Sequence, residues 1–303
     1  MHFSTSGILQ PFHTTWLPAH TQAAMLRLDR IHPLVSGNKW FKLKYNLEAA
    51  AGKPVVTFGG SWSNHILATA AACNMEGIPC TGIIRGERPA VLSHTLQQAA
   101  ALGMELVFVS REAYRHKDAG AFPDACVIPE GGHNAAGARG CSEILSLADT
   151  KGFSHIICAV GTGTTLAGLI NATAGKSSAQ RPGLPAAEID PPAQKVIGIS
   201  ALKGAYSLEE DTAQLLTQPG RPEIFHDFHE GGYGKISDEL IACMNDFYRQ
   251  TGIPTDRVYT GKMVLAVSKL LERSYFPPGS RLLLVHSGGL QGNDSLPPGV
   301  LCF

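Results

Sequence analysis

The sequence predicts an α/β protein of two three-layer domains with mostly parallel sheets. Three observations predict it. Apolar runs of strand length are followed repeatedly by helix-length stretches. The runs are continuous rather than alternating, as in strands covered on both faces. Glycine clusters close several of them, which is where open α/β sheets place ligands.

PVVTFGG (54–60) reads as a buried strand, and SNHILATAAACNMEG after it as an Ala-rich helix stopping at Gly77. PCTGIIRG (79–86) is the next strand, with HTLQQAAALGM as its helix, and ELVFVS (105–110) precedes another helix-like stretch. HIICAVG (155–161) leads into TTLAGLINATA, and KVIGISAL (195–202) and RLLLVHSGG (281–289) supply the last strands. The units at 54–125 form one block and those at 155–290 another, with the chain start assigned to the second. AGKSSAQRPGLPAAEIDPPAQ (174–194), rich in Pro, Ala and Ser, reads as an exposed loop. No repeat of solenoid type is present.

A chain of 303 residues has room for one large or two ordinary domains. The 25 basic residues balance 25 acidic ones, so no nucleic-acid or anionic-membrane partner is expected. No run approaches the roughly 20 apolar residues of a membrane span. MHFSTSGILQPFHTTW lacks the basic start and apolar core of a signal peptide, so a cytoplasmic protein is expected. The seven cysteines are scattered, form no CxxC pair and fit buried free thiols.

Four glycine-punctuated segments are candidates for chemistry. In GTGTTLAG (161–168), the backbone N–H groups from Gly161 through Gly163, with the hydroxyls of Thr162, Thr164 and Thr165, suit a phosphate at a helix N-terminus. The spacing is neither a dinucleotide fingerprint nor a Walker loop, and an ordinary strand-to-helix turn is the bland alternative. GGSWSNH (59–65) crowds Ser63, Asn64 and His65 at a helix start, where a cap explains one of the three. It lacks the G-x-S-x-G of a serine-hydrolase elbow. PEGGHNAAGARG (129–140) is either a glycine-rich connection or a ligand contact. VYTGK (258–262) and HSGG (286–289) place small hydroxyls at strand or loop ends. His226, His229 and Glu230 lack metal-site order, and no metal is expected.

Lys39, in LVSGNKWFKLKYN (34–46), follows Ser-Gly-Asn and precedes two aromatics. A lysine lying over apolar neighbours is the ordinary reading. A desolvated lysine, however, has a lowered pKa and becomes an amine nucleophile. A nucleophilic amine and a phosphate cradle in one chain point together to pyridoxal phosphate, whose aldehyde needs the first and whose phosphate needs the second.

RLDRIHPLVSGNKWFKL, GGSWSNHILATAAA, PEGGHNAAGARG, GTGTTLAGL, GGYGK, YTGK and HSGG, in this order and over nearly the whole chain, resemble the 1-aminocyclopropane-1-carboxylate deaminase/D-cysteine desulfhydrase family of pyridoxal-phosphate enzymes. The resemblance implies the tryptophan-synthase-β-like fold (pyridoxal-phosphate fold type II) and homodimers. It implies a large discontinuous cofactor-binding domain (1–44 and 145–303) with a smaller α/β domain (45–144) inserted in it. Lys39 matches the lysine that carries the cofactor, and Lys42 one near its phosphate, with Phe41 where the family usually has arginine. Asn64 matches the partner of the cofactor's 3′-oxygen, and Ser63 and His65 match residues facing the substrate carboxylate. Gly161, Thr162, Gly163, Thr164 and Thr165 match the phosphate loop, and Tyr233 and Tyr259 the tyrosines of the substrate pocket.

Family members differ at the pyridine nitrogen. A carboxylate there keeps the ring a strong electron sink, whereas a hydroxyl suits elimination of a good β-leaving group. Family deaminases have glutamate after the pocket tyrosine; this chain has Thr260, with Ser287 in HSGG. The expected reaction is therefore α,β-elimination on a small amino acid of D configuration, as in D-cysteine desulfhydrase, yielding a 2-oxo acid and ammonia. Lys39 is the expected base, Ser63 and Asn64 hold the carboxylate, and Tyr233 or Tyr259 serves the leaving group. The alternatives are 1-aminocyclopropane-1-carboxylate deamination to 2-oxobutanoate, serine dehydration or racemisation, and a non-catalytic cofactor-holding or amino-acid-binding protein.

Overall fold

The computed structural model describes residues 7–174 and 194–303, so nearly all of the expected 174–194 loop lies outside the described residues. The chain opens with β1 (Leu9–Phe12) and β2 (Gln22–Arg27), followed by helix α1 (Asn38–Ala50). β3 (Val55–Gly59), α2 (Asn64–Glu76), β4 (Cys80–Arg85), α3 (His94–Ala101), β5 (Glu105–Val109) and β6 (Cys126–Ile128) come next. Then come α4 (Ala135–Cys141), β7 (His155–Val160), α5 (Thr164–Ala174), β8 (Lys195–Ser200), α6 (Leu208–Ala213) and β9 (Glu223–Phe225). α7 (Asp238–Thr251), α8 (Thr260–Glu272) and β10 (Arg281–His286) complete the order.

Among the described residues the strands form two sheets, β1-β2-β10-β7-β8-β9 and β5-β4-β3-β6. Every pairing is parallel except β1 with β2. The predicted runs all form strands, and continuous apolarity has the expected cause: all of His155–Val160 and Leu282–His286 is buried, with β10 between β2 and β7. Each fully buried aliphatic side chain there contributes about 1.5–3 kcal/mol. The stretch after β5 makes only a short 3-10 helix, Ala113–His116. The PEGGH segment is not a plain connection, because Asn134 caps α4 by accepting from Gly137 N at 2.8 Å.

Strands from 55–128 build the smaller sheet, and strands from 9–27 and 155–286 the larger. This grouping supports the proposed division into an inserted unit (45–144) and a discontinuous one (1–44 and 145–303), although the boundary at 44 cuts through α1. Among the described residues, no helix is long and apolar enough to cross a membrane.

Helices α1, α4 and α5 pack at backbone distance. A Cβ on Gly140 would lie 1.9 Å from the carbonyl oxygen of Phe41, and one on Gly168 would lie 2.3 Å from Cys141 Cβ. Phe41, where the family resemblance leads to the expectation of arginine, is a buried core residue whose carbonyl faces α4. Gly140→Ala is expected to destabilise the fold by about 3 kcal/mol, because the collision is with backbone that no rotamer change relieves. Denaturant unfolding checks this; a loss below about 1 kcal/mol would show that the helices can slide apart.

Candidate active site

The carboxyl ends of β3, β7 and β10 meet at a cavity of about 460 Å³. Its wall includes Lys39 and Lys42 from α1, the 60–65 turn, Gly161–Gly163 with Thr165, both Tyr233 and Tyr259, and Ser287. Local structure explains how these converge. Ser63 caps α2, accepting from Ile66 N at 3.4 Å, so the serine-rich turn after β3 faces the sheet ends. Gly37, with φ +67°, starts α1 against β10, and Asn38 N donates to Ser287 O at 3.2 Å. Lys39 and Ser287 are therefore neighbours despite their separation in sequence.

Lys39 Nζ donates to Asn38 Oδ1 at 2.8 Å, and Asn38 Nδ2 donates to Thr165 Oγ1 at 2.8 Å. Burial, reinforced by the ammonium of Lys42, pushes the Lys39 amine down to about 7. The buried Lys42 amine, also lowered by burial, reaches Thr162 Oγ1 at 3.4 Å. Thr162 Oγ1 lies 3.1 Å from Thr164 Oγ1, which in turn lies 3.3 Å from His133 Nδ1. Gly163 is left-handed, φ +77°, turning the loop so that α5 begins at Thr164. Asn64 is held on its far side, its Oδ1 accepting from Gln291 Nε2 at 2.7 Å.

Several expected residues differ from their anticipated settings. His65 reaches the cavity only as a buried ring, with Nε2 2.8 Å from Thr57 Oγ1. Thr57 spends its own proton on Ile128 O, so His65 Nε2 carries the hydrogen. Burial and the two lysines hold this ring's pKa well below its usual value, so it faces the site neutral rather than as a cation for a carboxylate. YTGK is a helix start rather than a strand or loop end, and Thr260 lies in the first turn of α8 behind the wall. Its hydroxyl is buried without a hydrogen-bond partner. Thr164 is likewise behind the wall. Tyr233 and Tyr259 pack edge to face, centroids 6.2 Å apart at 70°. Burial raises both phenols, Tyr259 well above its usual value, so both are protonated donors at neutral pH.

Sequence reasoning missed three contributors. Buried Asp256 anchors α8, accepting from Val258 N, Tyr259 N and Thr260 N at 2.8–2.9 Å. An acidic side chain just before a helix was a readable start signal. Arg85, at the end of β4, and Glu130 also line the cavity. Nothing local marks them beyond position at a strand end for the first. The tempting His226, His229 and Glu230 do not converge: His226 pairs with Glu209 at 2.8 Å, and Glu230 accepts from Ser237. All seven cysteines are free, and burial pushes the Cys158 thiol up to about 12.

The arrangement fits pyridoxal phosphate. It offers two buried amines lowered by burial, Lys39 and Lys42, with a glycine turn and hydroxyls beside the second. At Gly161, a Cβ would intrude to 3.0 Å from the Tyr259 ring. The comparisons agree. The family model for pyridoxal-phosphate dependent enzymes matches residues 16–288. The chain belongs to this family.

Among pyridoxal-phosphate dependent relatives, a putative 1-aminocyclopropane-1-carboxylate deaminase of Thermotoga maritima is 31% identical, covering 88% of each chain. A D-cysteine desulfhydrase of Yersinia pestis is 27% identical over 87% of this chain and 86% of its own. The bifunctional D-cysteine desulfhydrase/1-aminocyclopropane-1-carboxylate deaminase of Arabidopsis thaliana, a mitochondrial protein, is 26% identical over 96% of this chain and 78% of its own. A crystal structure described as an ACC deaminase homologue superposes with a TM-score of 0.74 at 24% identity, over 94% of this chain and 90% of that one. The fold is pyridoxal-phosphate fold type II, as expected.

Proposed function

We propose that this pyridoxal-phosphate enzyme catalyses α,β-elimination on a small D-amino acid, with D-cysteine giving pyruvate, sulfide and ammonia. The observation that carries the reading is the hydroxyl of Ser287 on the cavity wall, next to Asn38 and Lys39. Ser287 stands on the wall, Thr260 lies behind it, and the carboxylate of nearby Asp256 is spent on three backbone N–H groups. The desulfhydrase name of the Yersinia relative supports the same reading.

The bound cofactor supplies an aldehyde for amines and an electron sink for the substrate α-carbon. Lys42, Thr162 and the N–H groups of Gly161–Gly163 at the start of α5 would hold its phosphate, and Asn64 would hold its ring. Ser63, Asn64 and the N-terminus of α2 hold the substrate carboxylate. Lys39 would hold the cofactor's aldehyde, and its Nζ would be the base for the substrate α-proton; an amine lowered to about 7 by burial suits a base working at neutral pH. Tyr233 and Tyr259, both protonated, orient or protonate the leaving sulfur. The working assembly proposed is a homodimer, supported by the family resemblance and tested by sedimentation.

A second reading, deamination of 1-aminocyclopropane-1-carboxylate, is favoured by the names of the Thermotoga and Arabidopsis relatives. Purified, cofactor-loaded protein is expected to release pyruvate from D-cysteine and no 2-oxobutanoate from the cyclopropane substrate. Release of 2-oxobutanoate would show that Thr260 and Ser287 do not bar ring opening.

A further inference from the structure

Lys262 is completely buried, and among the described residues no carboxylate lies within ion-pair distance of it. A buried ammonium is costly unless its protons are satisfied. Here they go to two backbone carbonyls, His229 O at 2.8 Å and Gly232 O at 2.7 Å. Each carbonyl already closes a tight turn: Gly232 N donates to His229 O at 2.9 Å, and Lys235 N to Gly232 O at 3.1 Å. The lysine thus ties two consecutive turns to α8, and Tyr233 directly follows the second tied carbonyl, inside the second turn.

That segment needs holding. Glu230, Gly231, Gly232 and Gly234 all have positive φ, at +51°, +89°, +120° and +65°, and the first is not a glycine. Tyr233 is 46% exposed as a residue and has Tyr259 as its ring partner, so packing alone holds it less firmly than a core residue. Tyr259 and Lys262 both belong to the start of α8, which Asp256 caps. One helix end therefore sets both tyrosines, one through its own backbone and the other through the lysine.

We infer that Lys262 is a positioning residue that fixes Tyr233 against the substrate cavity by bridging the carbonyls of His229 and Gly232. The inference rests on the reading of Tyr233 as a pocket residue, and its test has an arm independent of turnover.

In cofactor-loaded protein, Lys262→Met keeps the length and removes the donors. Amide hydrogen exchange at Gly231, Gly232 and Lys235 is expected to accelerate at least tenfold, while the interior of α8 and the cofactor absorbance stay unchanged. Lys262→Arg, which can still donate twice, is expected to restore protection. With D-cysteine, Lys262→Met should lower kcat/KM roughly 10- to 100-fold, as displacement of a reacting group by about 1 Å does. In a Tyr233→Phe background the same change should cost less than threefold. If Lys262→Met does not fold, Lys262→Gln, too short to reach both carbonyls, is expected to give the intermediate acceleration. Unchanged loop exchange in a folded variant overturns the inference. So do fully additive losses in the two backgrounds, which would mean that Lys262 acts on something other than Tyr233. Accelerated exchange without D-cysteine turnover in the parent protein would leave the clamp standing and overturn the elimination reading instead.

Discussion

Lys39→Ala is expected to abolish turnover, by roughly 10⁴-fold or more, and to remove the visible absorbance band of the bound cofactor. The two losses have different origins. Without the amine no covalent hold on the aldehyde remains, and without the base the α-proton has no acceptor; that second function alone is worth up to about 10⁴-fold. Lys39→Arg is expected to rescue neither, since a guanidinium stays protonated and cannot act as nucleophile or base. The pH dependence adds a sharper check on the cofactor-free protein. The neutral amine is the reactive form, so labelling of Lys39 by an amine-selective reagent should rise through a midpoint near 7 rather than near the ordinary 10.5. The sign for stability follows. The folded chain releases this proton near 7 while the unfolded chain keeps it to 10.5, so the contribution to stability is lowest below 7 and rises between the two values. A labelling midpoint near 10 would show a solvated lysine and remove the physical basis for its role. Substantial turnover by Lys39→Ala would remove the assignment itself.

What could be read from the chain was whatever leaves a local signature. The parallel strands announce themselves because both of their faces are buried, so β7 and β10 are continuous apolar runs. The phosphate loop is legible because glycines and hydroxyls punctuate a strand-to-helix junction. β1 was invisible for the opposite reason: LQPF has four residues, contains a proline and pairs on one side only, as an edge strand does. α7 begins with a Ser237 cap and two acidic residues, a start signal that was available but unread. The site is harder, because side-chain direction depends on long-range contacts. His65 looked like a carboxylate ligand until Thr57, from the neighbouring strand, claimed its Nε2. Thr260 looked like a ring partner until the helix start turned it behind the wall. Nothing in VYTGK marks Lys262, and only the fold brings the carbonyls of His229 and Gly232 to its ammonium.

Gly37→Ala is expected to lower cofactor-dependent turnover by at least about 100-fold and stability by about 3 kcal/mol, and the structure separates two causes. The first is conformational. Gly37 has φ +67° with ψ −141°, a region almost reserved for glycine, where an L-residue costs on the order of 1–3 kcal/mol. The second is steric: a Cβ would fall 1.8 Å from Ser287 O and 2.2 Å from Ser287 C, inside bonded backbone that cannot rotate away. Relief requires α1 and the end of β10 to separate, which moves Lys39 away from Ser287 and breaks the Asn38 N to Ser287 O bond. Gly52→Ala tests a positive φ without the collision, since Gly52 has φ +82° with nothing within 4 Å of a built Cβ. It should cost about 1–2 kcal/mol and leave turnover unchanged. Equal stability losses in the two variants, with turnover preserved in both, would mean that the α1–β10 contact does not set the geometry of the site. A large loss confined to Gly37→Ala would show that the glycine before Asn38 and Lys39 is there to let the strand carrying Ser287 come within reach of the reactive amine.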